Sequence, residues 1–83
     1  MSDKIQDLEN IAEIISIAIA RERSSVKYYR DAFMKAANES AKEMFSILEK
    51  QEKGHEAKLR AQLLEIESEL EMERIKEKTQ SRD

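Results

Sequence analysis

Ala37-Asn38-Glu39-Ser40, residues 37 to 40, is where the periodic pattern of this chain breaks, and what lies on either side of it decides the fold. Asn38 suits a left-handed helix C-terminus, and Ser40 followed three residues later by Glu43 has the form of a capping box opening a new helix. A tight helix-helix turn is expected here. Backwards from it, Ala32, Tyr29, Ser25, Glu22, Ala18, Ile15, Ile11, Leu8 and Ile5 recur at steps of three and four, the seam of an amphipathic helix. Forwards, Phe45, Leu48, Glu52, His55, Leu59, Leu63, Ile66 and Leu70 repeat the same steps. The expectation is an all-α chain in one domain, residues 1–83. Helix 1 spans about 3–37, helix 2 about 41–77, and a frayed polar tail covers 78–83. Each arm is roughly 35 residues, or about 50 Å at 1.5 Å per residue, so the unit is a long antiparallel hairpin.

Composition agrees. Charged residues make up 40 % of the 83 and aromatics 5 %, with one Gly and no Pro, so helix formers dominate and breakers are nearly absent. A chain of this length buries only a modest core by itself, and Ile14, Ile17 and Ile19 widen the apolar face of helix 1 beyond one stripe. Association of copies is therefore expected, with the hairpin dimerising into a four-helix bundle. Phe33, Met34, Met44 and Phe45 flank the turn and should close the end of that bundle.

Several function classes fall away. The net charge of −3 arises from 18 acidic and 15 basic residues mixed along the chain, which leaves no basic stripe for a phosphate backbone; no nucleic-acid partner is expected. The strongest apolar run, Ile11 to Ala20, is interrupted by Glu13 and Ser16 and is about half a membrane span, so no membrane partner is expected either. The N-terminus lacks the pattern of a secretory signal, which points to the cytoplasm. Without cysteine there is no thiolate zinc site and no thiol chemistry. The acidic run Glu65, Glu67, Glu69, Glu71, Glu73 reads as a solvated helix face.

Two carboxylates and an imidazole stand where the seams call for apolar residues. Glu22 lies 16 residues before Asn38, while Glu52 and His55 lie 14 and 17 after it, so in an antiparallel hairpin all three sit at nearly the same height. Burying them without a counter-charge costs several kcal/mol per ion. Divalent cations remove that objection. A two-fold dimer would gather two copies of Glu22, Glu52 and His55 around one cavity, four carboxylates against two divalent metals. Four-helix bundles hold paired iron or manganese in this way, with a Glu from each of two helices and a Glu-x-x-His from each of the other two. Oxygen and nitrogen ligands without sulfur favour Fe, with Mn or another divalent ion as the alternative. Glu22 is expected to bridge or cap the metals, Glu52 to bridge them, and His55 to give one nitrogen to each ion. Tyr29, two turns from Glu22 on the same seam, is placed to donate a hydrogen bond to a ligand carboxylate from outside the ligand set.

At these residues the chain resembles the rubrerythrin and ferritin-like di-iron family. Ala20 to Tyr29 looks like that family's first-helix motif, a ligand Glu with an aromatic-Tyr pair six and seven residues later, and Phe45 to His55 looks like its Phe-x-x-Leu followed by Glu-x-x-His. The likeness covers about residues 11 to 66. It implies Glu22, Glu52 and His55 as di-iron ligands with Tyr29 beside them, and a ferroxidase that oxidises Fe(II) with O2 or peroxide in iron handling or oxidative-stress protection. With one Glu and one Glu-x-x-His, half the set of a complete bundle, the chain is similar to the half-size, encapsulated-ferritin type, whose metal site forms between two subunits and whose dimers assemble into rings. That likeness implies an encapsulin compartment or shell as location and partner, although the tail from Lys76 to Asp83 does not resemble the Gly/Leu-containing peptide that targets cargo to such shells. Two alternatives stand beside this reading: a rubrerythrin-like peroxide scavenger, which needs an outside electron donor because no cysteine-bearing rubredoxin module is present, and a metal-free helical interaction module.

Overall fold

The structure, a computed structural model, describes residues 3–80. Two helices, α1 (Asp3–Lys35) and α2 (Glu39–Gln80), run antiparallel and form a rod with extents of 69 × 14 × 13 Å. Among the described residues there is no strand, so the all-α hairpin expected from the two seams is what the chain forms.

The turn falls two residues earlier than its sequence suggests, at residues 36–38. No non-glycine residue among those described has a positive φ, so Asn38 does not end α1 in a left-handed conformation. It opens α2 instead. The Asn38 side-chain carbonyl accepts the Ala41 N–H at 3.0 Å, and its backbone carbonyl accepts the Lys42 N–H at 3.0 Å, which makes Asn38 the N-cap and puts Ser40 inside the first turn. At the far end α2 continues to Gln80, where Thr79 Oγ1 donates to the Ile75 carbonyl at 3.0 Å. The rest of the expected tail, 81–83, lies outside the described residues.

Packing along the seams is thin. Leu8, Ile19, Val26 and Leu70 are the buried apolar residues, and no described side chain is fully enclosed. Phe33 and Phe45 are half-buried beside the turn, with the Lys42 ammonium 5.6 Å from the Phe33 ring, while Met34 and Met44 stay exposed. Two helices in contact leave most of each circumference open.

Ion pairs clasp the arms. Arg30 Nη2 donates to Glu49 Oε2 at 3.0 Å, Arg23 Nε lies 3.5 Å from Glu56 Oε2, and near the open end Lys4 reaches Glu73 at 3.4 Å and Glu69 at 3.5 Å. Hydrogen bonds from Lys53 and then Arg30 hold the Glu49 carboxyl below its ordinary value. The hydrogen bond to Glu73, followed by the charges of Glu73 and Glu69, raises the Lys4 ammonium above its own.

Candidate metal centre

Glu22 comes from the middle of α1, and Glu52 and His55 come from one turn of α2. The equal spacing from the turn does bring them together. His55 Nδ1 lies 3.3 Å from Glu22 Oε2 and 3.4 Å from Glu52 Oε1, and one ligand atom from each of the three falls within 4.8 Å of the others. Three residues apart on a helix, Glu52 and His55 share a face, which is what lets one imidazole meet carboxylates from both helices.

The oxygen nearest the imidazole is poorly satisfied. Glu22 Oε2 is buried and has no hydrogen-bond partner, because its 3.3 Å approach to His55 Nδ1 lacks hydrogen-bond geometry. A buried carboxylate oxygen without a donor is costly in a helical core. A cation among these atoms would give that oxygen the partner it lacks, and an oxygen-rich set with one imidazole nitrogen fits iron or manganese. The donor set therefore fits the metal that its residue types suggest.

Burial differs across the cluster. The Glu22 and Glu52 side chains are 22 % and 20 % exposed, whereas that of His55 is 58 % exposed. Helical geometry explains the difference. Taking Glu52 as the line facing α1, His55 turns about 60° to one side and Glu56 about 40° to the other at roughly 100° per residue. The Glu56 side is the flank closed by Arg23 and Arg30. The His55 side carries Ile14, Tyr28 and Met44, which are 65 %, 68 % and 51 % exposed. Glu22 and Glu52 are thus walled in on the charged flank, and His55 is open to solvent on the other.

Tyr29 is half-buried two turns from Glu22. Its ring stacks against Phe45, centroids 6.5 Å apart, and meets Tyr28 edge-on at 5.4 Å. Among the described residues its hydroxyl makes no hydrogen bond to Glu22. The charged wall of Arg23, Arg30, Glu49 and Glu56 is a feature that the seams alone do not reveal. Its signal is the seven-residue spacing of Arg23 and Arg30 on one helix against that of Glu49 and Glu56 on the other.

A family model described as Rubrerythrin matches residues 2–63, three quarters of the chain and all three ligand-type residues. The chain belongs to the rubrerythrin family. Rubrerythrins are helical proteins that bind di-iron centres, and they are typically oxidoreductases. No curated protein and no solved structure matches the chain. Among the described residues no helix is long and apolar enough to cross a membrane.

Proposed function

We propose that this rubrerythrin-family protein is a di-iron ferroxidase, oxidising Fe(II) with O2 or peroxide at a site completed between two copies of the chain. The observation that carries the reading is the meeting of Glu22, Glu52 and His55 around an unpartnered carboxylate oxygen, on a flank that is open. One hairpin offers too few ligands for a pair of ions, and a second copy related by a two-fold axis would supply the remaining half. Ile14, Tyr28 and Met44, exposed along the His55 flank, are apolar surface such a copy would cover.

Bound irons supply the one-electron chemistry and the place where the oxidant is reduced. The chain's own residues do the rest. Glu22 and Glu52 would hold the ions with their carboxylates and offset their charge. His55 supplies a neutral nitrogen through whichever ring atom carries no proton, and its other nitrogen is left to an acceptor on the second copy or to water. Tyr29, whose ring packs against Phe45 and Tyr28, is the candidate hydrogen-bond donor to a ligand carboxylate. Closing the open flank would exclude water from the site.

Family membership also favours a second reading, a peroxide-scavenging oxidoreductase supplied with electrons by a partner. Iron oxidation and peroxide turnover followed on one preparation separate the two. A ferroxidase oxidises added Fe(II) unaided, whereas a scavenger consumes peroxide catalytically only with a reductase present. Elemental analysis of protein produced with iron is expected to give about one ion per chain. Absence of any bound transition metal at neutral pH would defeat both readings and favour a helical interaction module.

A further inference from the structure

The side of α2 that faces away from α1 carries its own pattern. Relative to Glu52, residues Gly54, Ala57, Ala61, Leu64, Ser68 and Ile75 fall within about 120–180° or just beyond, all on the outer side, at steps of three, four and seven. All six are exposed, Leu64 to 69 % and Ile75 to 56 %. With Met72, 59 % exposed, Leu64 and Ser68 line a shallow and mostly apolar groove. Nothing inside the hairpin explains this stripe. A Cβ added at Gly54 would meet no atom within 4 Å, so a glycine that weakens a helix interior by about 1 kcal/mol gains nothing in the hairpin's own packing.

Charges bracketing the stripe indicate what covers it. Lys58 and Glu65 lie along one edge, Arg60 and Glu67 along the other. Among the described residues Lys58, Glu65 and Glu67 enter no ion pair, and Arg60 pairs only with Glu56 of its own helix. Each edge therefore runs from basic to acidic. Laid antiparallel on a copy of itself, each edge brings its basic residue opposite the copy's acidic one.

We propose that the outer face of α2 is an interface with the α2 of a second copy, packed antiparallel about a two-fold axis near Gln62 and Leu63. In that register Ala61 faces the partner's Leu64, a small residue receiving a larger one, and Ala57 faces the partner's Ser68, two small residues that let the helices approach. Lys58 meets the partner's Glu65, and Arg60 meets the partner's Glu67, each pair occurring twice. Small residues on the seam allow the close axial approach, about 8 Å, that such packing needs. The stripe lies on the far side of α2 from α1, its midline about 150° round from His55 and its Lys58 edge about 60° from it, and it would link metal-centred pairs into larger assemblies.

The test is the solution mass of the full chain by sedimentation or light scattering. Leu64→Glu, and separately Lys58→Glu with Arg60→Glu, are expected to lower the mass at least two-fold with unchanged helix content by circular dichroism. Adding Glu65→Lys and Glu67→Lys to the double reversal should restore the wild-type mass, because the swapped edges again complement each other. Unchanged mass in Leu64→Glu, or failure of the four-residue swap to recover what the double reversal lost, overturns the interface. Leu64→Glu falling to the mass of two chains supports both this interface and the metal-centred pair. A fall to one chain supports this interface and counts against that pair.

Discussion

Glu22 Oε2 joins stability to function within one atom. Buried and without a donor, it weakens the metal-free hairpin, and the same lack of a partner makes it available to a cation. Glu22→Gln removes the charge while keeping the shape, so its expected effect has opposite signs in the two states. The metal-free protein should gain on the order of 1 kcal/mol, read from chemical denaturation, while bound iron falls at least ten-fold by elemental analysis. Loss of stability in the metal-free variant would mean that the carboxylate is satisfied in some other way. His55→Ala should likewise abolish iron binding, with little effect on the isolated hairpin because its side chain is 58 % exposed there. Asn38 is a different kind of residue, structural and remote from the site. Asn38→Ala removes the side-chain acceptor for Ala41 N–H and should lower unfolding free energy by about 1 kcal/mol without changing iron content.

Ion pairs along one flank tie the two helices together beside their apolar seam, and that gives the pair of elements a defined acid response. Glu49, drawn below its ordinary value of 4.5 by Lys53 and Arg30, contributes stability that is fully present above that value and is lost as pH falls through the lower value of the folded state. The melting temperature of the hairpin should hold steady down to about pH 4.5 and then fall, and Glu49→Gln should flatten that fall. A variant melting curve with the same acid dependence as wild type would assign the drop to other carboxylates. These clasps were hard to read from sequence, because Arg23, Arg30, Glu49 and Glu56 sit in a chain where charges of both signs are everywhere. The hairpin itself was legible, since Glu22, Glu52 and His55 interrupt two otherwise apolar seams at matching distances from one break. Which residue caps α2 was not. Asn38 and Ser40 are comparable N-caps by type, and only the folded turn shows that the Asn38 side chain is the one that reaches a free N–H. The polarity after Ile75 reads as fraying, yet α2 persists to Gln80 because polarity on one helix does not itself break backbone hydrogen bonds. His55 exposure was illegible for another reason: the seam marks the residues that leave water, but not the number of chains needed to exclude it.

A rod of 69 × 14 × 13 Å whose buried apolar residues are Leu8, Ile19, Val26 and Leu70 has little hydrophobic burial with which to offset the conformational entropy of its length. Binding can add to the stability that the rod's own packing supplies. If metal and a second copy bind the folded hairpin and leave the unfolded chain alone, each adds free energy by mass action. Free metal at a hundred times its dissociation constant adds about 2.7 kcal/mol. For a domain of this size each kcal/mol raises the melting temperature by roughly 4–8 °C, so anaerobic Fe(II) or Mn(II) should raise it by about 10–20 °C. Because the site is proposed to be shared between copies, the metal-loaded melting temperature should also climb with protein concentration, and calorimetry at two concentrations about ten-fold apart reads that slope. The His55→Ala protein should show neither the metal-induced rise nor the part of the slope that depends on metal, while keeping any slope due to the outer face of α2. A metal-induced rise that is independent of concentration would place the whole site within one hairpin. Equal melting temperatures with and without metal would mean that Glu22, Glu52 and His55 come together for a reason other than holding an ion.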